Sequence, residues 1–162
     1  MRDYADRLRR RVSRTVARTV VFVAAAALAV FALPAAAMAE DNFYESCTFS
    51  TFSCQTGVTN VLVEGDCMSA GSQGNYTTIC VDYSGDYVYV HDGQADGHSA
   101  IGFVFSTRGS VNSRICRNNH GYDTWAKCNF NWTEDALHSA SAGYVETYYR
   151  IEEEVLWGWS GK

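Results

Sequence analysis

The residues best placed for metal chemistry lie in one Gly-rich segment. Asp92, Gln94 and Asp96 alternate ahead of Gly97, and oxygen ligands at this spacing before a glycine are typical of the start of a calcium-binding loop. Such a loop needs a bidentate Glu at its twelfth position, which is Phe103 in this chain. A turn between two strands accounts for the same residues, so we predict no metal site and no cofactor.

Patterns for acid–base or hydrolytic catalysis are weaker. His91 and His98 could form a site with those aspartates, but proximity in a turn does not establish that the side chains converge. No G-x-S-x-G elbow marks a nucleophilic serine. Carboxylates for glycosidic cleavage could come from Glu134, Asp135 or Glu152–Glu154, although three consecutive glutamates are typical of a solvated turn. We therefore predict that the protein is not an enzyme.

The stretch Ser113–Trp132 predicts two strands closed by Cys116 and Cys128 around a polar loop. Large residues suited to a half-buried strand flank a segment rich in Asn and Gly, which tolerate the left-handed backbone of a tight reversal. We expect the loop to project as a finger and to contact a partner through Arg117, Asn118, Asn119, His120, Gly121, Tyr122 and Asp123. An ordinary surface hairpin is the alternative interpretation.

The first 39 residues predict a signal peptide. Seven Arg and two Asp precede an apolar run, and Ala37-Met38-Ala39 supplies the small-x-small pattern of a cleavage site. A membrane anchor is the alternative, but the run is shorter than the roughly 20 residues that span a bilayer. We predict secretion, by the general route rather than the twin-arginine route, and a single extracellular β domain at 40–162.

Removal of that peptide would leave a strongly acidic domain. Lys and Arg fall from 13 to 6 and Asp and Glu from 18 to 16, which gives a formal net charge of −10. Nucleic acids and anionic membranes bind cationic faces, so we predict neither as a partner. A basic protein partner, or solubility outside the cell, suits this charge.

The six cysteines all fall in the predicted domain. An even count in an exported chain indicates disulfides. Fifteen pairings are possible, and near neighbours are favoured because each pair brackets a predicted turn: Cys47 with Cys54, Cys67 with Cys80, and Cys116 with Cys128. The chain has no C-x-x-C motif, so disulfides are favoured over zinc-binding or redox-active roles for these cysteines.

Short runs of β-branched and aromatic residues between turn signals predict an all-β fold. The expected strands outside the finger include Val58–Val63, Thr77–Tyr83, Tyr87–His91, Ser99–Ser106 and Tyr144–Ile151. The expected loops or turns include Cys47–Cys54, Glu134–Gly143 and Glu152–Glu154. We predict a small antiparallel β-sandwich or partly closed barrel, stapled by about three disulfides.

Three motifs carry a resemblance to a known group of proteins: DGHSA at 96–100, SRICRNNHG at 113–121 and WAKCNFNW at 125–132. Together with a targeting segment that contains Arg but no Lys, they resemble small secreted cysteine-containing β proteins of actinomycetes. Within that group the chain is similar to the adaptor subunits of Streptomyces umbrella toxin particles. The resemblance spans most of the predicted domain.

This resemblance implies a non-enzymatic connector in a complex that stops the hyphal growth of competing bacteria. One disulfide-bounded loop would insert into a large repeat subunit rich in alanine, leucine and phenylalanine, and the protein would also hold a trypsin-like lectin subunit. The inserting loop would be Cys116–Cys128 or Cys67–Cys80. The arm before Cys47 could serve the second partner.

Three functional hypotheses follow. The first is an extracellular protein-binding module, an adaptor component of a secreted, toxin-like complex. The second is a secreted inhibitor of proteases or other hydrolases that presents a disulfide-braced loop, with Arg117 or Lys127 as the bait residue. The third is a small hydrolase or carbohydrate binder that uses aspartates, histidines and tryptophans.

Overall fold

Nine strands and one 3-10 helix form the regular structure of residues 42–72 and 75–162, the part of the chain that the computed structural model describes. The helix spans Glu45–Thr48. The strands are β1 Phe52–Thr56, β2 Asp66–Ser72, β3 Asn75–Asp82, β4 Tyr87–Gly93, β5 Ser99–Ser106, β6 Ser113–Asn118, β7 Thr124–Asn129, β8 Leu137–Thr147 and β9 Arg150–Ser160. The all-β prediction is confirmed, while the predicted signal peptide at 1–39 lies outside the described residues.

The strands form two sheets that do not close into a barrel. One sheet has five strands in the order β1-β6-β5-β8-β9, and the other has four in the order β2-β3-β4-β7. All pairs are antiparallel except β1 with β6, which run parallel. The sandwich form of the prediction is therefore the one that the structure confirms.

Strand alternation explains why the two sheets pack face to face. In β4, Val88 and Val90 enter the main core, where they meet Val104 of the five-stranded sheet. Residues at alternate positions of a strand point to one face, so the apolar face of each sheet is buried against the other. At Gly102 a Cβ would approach Val90 Cγ2 to 2.8 Å, so a larger residue there would collide with the facing sheet.

The predicted strand at Val58–Val63 is wrong. Only Val58 pairs, through an isolated bridge to Lys127 on β7, and the segment then continues to β2 at the opposite edge of the four-stranded sheet. Its large apolar side chains are not buried in a strand face, since Val58 is 53% exposed and Leu62 is 80% exposed. The alternation of apolar residues in this segment therefore does not mark a strand.

The predicted finger is not a hairpin, because β6 and β7 belong to different sheets. The chain leaves the five-stranded sheet at Asn118 and enters the four-stranded sheet at Thr124. The Cys116–Cys128 disulfide therefore joins the two sheets, with both cysteines fully buried in the main core and their Cα atoms 5.6 Å apart. The other two predicted pairings, Cys47–Cys54 and Cys67–Cys80, are also present.

The tail predictions are wrong in their boundaries. Glu134–Gly143 was expected to be a loop, but most of it belongs to β8, and the expected turn at Glu152–Glu154 lies inside β9. The small residues Ala140 and Ala142 have weak strand propensity, yet β8 lies between two strands and packs them into the core. Glutamates are tolerated in β9 because it is an edge strand with an exposed side.

A cluster of polar side chains lies in the core, at the end of the sandwich remote from the 119–123 loop. Arg114 is buried and donates to Asn131 O and, at 3.1 Å, to Ser106 Oγ. His138 is buried against the Trp159 ring, with the ring centroids 5.0 Å apart. Burial lowers the pKa of His138, the Arg114 charge lowers it further, and Asp86 opposes both effects.

We expect the inter-sheet disulfide to stabilise the fold more than the Cys67–Cys80 disulfide does. Each of these two disulfides closes a chain loop of nearly the same length, since their sequence separations are 12 and 13. Each should therefore raise the free energy of the unfolded chain by about 3 kcal/mol. Removing the fully buried pair should also leave a core cavity. Urea unfolding of Cys116→Ala/Cys128→Ala and Cys67→Ala/Cys80→Ala measures the difference, and equal losses would contradict this account.

His138 should make the protein less stable as the pH falls. Because its pKa is lowered in the folded state, the unfolded chain takes up a proton first, and the free energy of unfolding decreases below about pH 6.5. The decrease ends once the pH passes the folded-state pKa. In His138→Phe this loss should be absent. Urea unfolding between about pH 7.5 and 5.5 tests the prediction, and parallel curves for the two proteins would refute it.

Candidate functional site

Two loops cross between the sheets at one end of the sandwich. Residues 94–98 lead from β4 to β5, and residues 119–123 lead from β6 to β7, so the chain crosses in opposite directions. The strand register places the loops side by side, because Asp92 pairs with Thr124 in one sheet and Ala100 pairs with Asn118 in the other. The topology thus brings together the two segments that the sequence marked separately.

Hydrogen bonds fasten the two loops to each other at both ends. Asp123 N donates to Asp92 O at 2.6 Å. Ser99 Oγ donates to Asn119 Oδ1 at 2.9 Å. Gly121 and Asp123 both have positive φ, a backbone that Gly and Asp tolerate better than most residues. The loop therefore has a defined conformation that its sequence supports.

Asn118 anchors the 119–123 loop from inside the molecule. It is fully buried, and its Nδ2 donates to Val90 O at 3.1 Å and to Thr124 O at 2.8 Å. Its Oδ1 accepts from His120 N and from Thr124 Oγ1. Asn118 was expected on a contact surface, but it lies in the core and positions the residues that follow it.

The remaining predicted contact residues divide into two groups. Arg117 belongs to β6, where its guanidinium lies 5.0 Å from the Phe43 ring centroid and its Nε donates to Ser99 Oγ. The exposed group is the loop itself, Asn119, His120, Gly121, Tyr122 and Asp123.

Two side chains of the loop are fixed at its flanks. His120 Nε2 lies 2.7 Å from Gly57 O, to which it can donate a hydrogen bond. His91 Nε2 lies 3.1 Å from Asp123 Oδ1, which accepts. These contacts tie the loop to the segment after β1 and to β4. The part left to project is its tip.

Tyr122 occupies that tip and is 62% exposed. Tyr148 and Tyr149, at the turn between β8 and β9, are also exposed and leave the sheets at the same end, because Val145 pairs with Ser99. We call residues 94–98, 119–123 and 148–149 the loop-end surface. This tyrosine turn lies within Tyr144–Ile151, for which one continuous strand was predicted, so that prediction is wrong at the turn.

A cavity of about 220 Å³ lies between the two crossing loops. Asp92, only 3% exposed, lines it together with Gln94, His98 and Tyr122. Burial raises the pKa of Asp92, the hydrogen bond from Gln94 N opposes that rise, and the Asp96 charge adds to it. An inward-facing carboxyl thus borders an accessible cavity.

The metal and acid–base alternatives find little support in this geometry. His91 alternates with Asp92 along β4 and therefore points to the opposite face of the sheet. The ring of His98 lies against Tyr144, and its Nδ1 is 3.1 Å from Val145 O. Within residues 42–72 and 75–162, no group of three or more His, Cys, Asp or Glu side chains is placed to hold a metal ion.

The carboxylates considered for glycosidic cleavage lie away from the loop-end surface or in ion pairs. Asp135 pairs with Arg108 at 3.0 Å. Glu152 pairs with Arg150. Desolvation raises the pKa of Glu134, and the charge of Asp86 raises it further.

Comparisons with known proteins provide no relative. No protein-family model matches the chain, and neither a curated protein nor a solved structure shows significant similarity to it. Among the helices of the described residues, none is long and apolar enough to cross a membrane. What the structure defines is a class by fold and site: a disulfide-linked all-β sandwich that presents a braced, tyrosine-tipped loop.

Asn118→Ala should destabilise the protein by about 3 kcal/mol, because it leaves buried donors and acceptors without partners, each costing about 1–3 kcal/mol. Asn119→Ala is the matched control: this exposed side chain accepts one bond, from Ser99 Oγ, so the loss should stay within about 0.5 kcal/mol. Urea unfolding measures both. Amide exchange of residues 119–123 should accelerate much more in Asn118→Ala than in Asn119→Ala, which loses a single exposed hydrogen bond, and similar behaviour of the two variants would contradict the anchoring role.

Proposed function

We propose that the protein is a non-enzymatic extracellular protein-binding module, an adaptor component of a secreted, toxin-like interbacterial complex. It binds its partner through the loop-end surface. The observation that carries the proposal is Tyr122, a large aromatic side chain exposed at the tip of a loop whose base is fixed in both sheets.

Rigidity of the loop supports a binding role. Ordering a flexible loop on association costs free energy, so a loop already held in one conformation retains more of its contact energy. Here the Cys116–Cys128 disulfide, the buried Asn118 and the bond from Ser99 to Asn119 all hold the loop before any partner arrives. Tyrosine brings large contact area at low cost in side-chain entropy, which makes it frequent at binding hot spots.

The proposed extracellular location and the proposed partners are supported by the disulfides, by the charge of the domain and by the resemblance. Three disulfides suit an oxidising environment. An acidic domain disfavours nucleic acid and anionic membranes as partners. The resemblance to adaptor subunits of umbrella toxin particles adds the expected partners, a large repeat subunit and a lectin-like subunit.

The inhibitor hypothesis gains nothing from the structure. A protease inhibitor presents its bait residue from an exposed loop, whereas Arg117 and Lys127 both lie within strands. Lys127 Nζ lies 3.3 Å from the centroid of the Tyr87 ring. Arg117 contacts Phe43 and Ser99. Neither side chain extends freely toward a protease.

Affinity purification of the tagged protein from the culture supernatant of its own organism, followed by mass spectrometry, tests the proposal. We expect a large repeat protein and a lectin-like protein to be recovered together with the bait. A single protease recovered at equal stoichiometry would favour the inhibitor, and a monomer without partners would refute the adaptor.

Tyr122→Ser should reduce capture of the repeat subunit at least tenfold, since loss of a hot-spot aromatic typically removes that much affinity. Leu137→Ser is the matched control, because Leu137 is equally exposed at 62% but begins β8 at the opposite end of the sandwich. Thermal unfolding should show both variants folded. Equal capture by the two variants would exclude the loop tip as the contact.

A further inference from the structure

The cavity between the crossing loops has the chemistry of a specific binding pocket. Its lining combines Asp92 with Tyr122 and with four further polar residues, Gln94, His98, Ser99 and Asn119. Ser99 and Asn119, which are both in this lining, are joined by a hydrogen bond. A concave site with a few converging polar groups and a perturbed carboxyl is the usual form of a ligand pocket.

Asp92 is the unusual member of this lining. It lies on the core-facing side of β4, in line with Val88 and Val90, and is 3% exposed. Its Oδ1 accepts a hydrogen bond from Gln94 N at 3.1 Å. None of the ion pairs among the described residues includes Asp92.

A buried carboxylate without a cation costs stability. Proteins normally pair a buried charge with an opposite one or with a metal ion, because desolvation otherwise outweighs the hydrogen bonds that remain. The charge of Asp96 disfavours the ionised form of Asp92 further, whereas His91, its neighbour on β4, favours it. The complement of such a carboxylate is a cation, and an ammonium or guanidinium group can be held by one carboxylate through charge-assisted hydrogen bonds.

The walls suit the head group of a basic side chain. Gln94 and Asn119 carry amide oxygens that accept from ammonium or guanidinium N–H groups. Tyr122 adds an aromatic ring at the cavity wall, and aromatic faces attract such cations.

We propose that this cavity receives a lysine or arginine side chain of the protein partner, with Asp92 as its counterion. The inference rests on the proposed function for the identity of the partner as a protein. It adds the chemistry of recognition: Tyr122 contributes contact area at the rim, while Asp92 selects a positive charge within. Binding of the partner would then supply the ion pair that the free protein lacks.

Titration of the ¹⁵N-labelled secreted domain with Nα-acetyl-lysine amide and Nα-acetyl-arginine amide tests the pocket directly. Amide shifts should concentrate at residues 94–98 and 119–123 and saturate in the millimolar range, which is usual for a single charged group of this size. The neutral analogues Nα-acetyl-norleucine amide and Nα-acetyl-citrulline amide should bind at least tenfold more weakly. Equal binding of charged and neutral analogues would overturn the proposal.

Asp92→Asn is the decisive variant. The amide keeps an oxygen that can accept from Gln94 N, so the turn should fold as before, and removal of an uncompensated buried charge should keep or raise the melting temperature. Affinity for the charged probes should fall at least tenfold. Asp96→Asn, which removes the same charge from an exposed position of the same loop, should change it less than threefold. Unchanged affinity in Asp92→Asn would refute the proposal.

Further results distinguish failure of the proposed cation pocket from failure of the proposed adaptor role. n-Butylamine carries the same single ammonium on the same four-carbon stem without backbone amides, and tighter binding of n-butylamine than of the lysine derivative would show a site for free amines and overturn the assignment to a protein side chain. Capture of the repeat subunit by Asp92→Asn at the unmodified level would overturn the pocket while leaving the adaptor role intact. Selective cation binding by a domain that captures no partner would defeat the adaptor role alone.

Discussion

The link between the two sheets at Cys116 and Cys128 is the constraint on which the rest of the site depends. Both cysteines are buried in the main core, and they hold β6 and β7 at a fixed separation although these strands do not pair in a sheet. The 119–123 loop must therefore span from one sheet to the other. Because the 94–98 loop makes the reverse crossing beside it, the same constraint creates the cavity between them.

Two buried polar side chains at this end of the sandwich differ in how many of their hydrogen-bonding and charge partners the protein supplies. Asn118 uses both its amide nitrogen and its oxygen within the protein, and it fixes the loop. Asp92 accepts a bond from Gln94 N but belongs to none of the ion pairs among the described residues. A fully satisfied buried group rigidifies a structure, whereas a buried charge without a counterion lowers stability. Residues that lower the stability of the folded protein, in a site whose other polar groups are hydrogen-bonded, are typical of functional positions.

Local sequence signals predicted the parts of the fold that depend on neighbouring residues. The strand Ser99–Ser106, the successive strands predicted at Thr77–Tyr83 and Tyr87–His91, and all three disulfides follow from alternation and turn chemistry within a few residues. Sheet membership depends on distant partners. The cysteines around the 119–123 loop look the same whether β6 and β7 pair with each other or stand in opposite sheets, so the sequence favoured a hairpin that does not exist.

The same distinction applies to the site. The exposure of Tyr122 could be predicted because Asn, Gly and Asp around it favour a loop. The role of Asp92 could not, since a carboxylate beside a Gly-rich turn is usually solvated. Its side chain faces inward only because it continues the alternation of Val88 and Val90, and it borders the 119–123 loop only because β4 pairs with β7. The face to which Asp92 points and the strand beside which it lies both depend on the whole sandwich. Together they place an ordinary residue near a turn in the lining of a cavity.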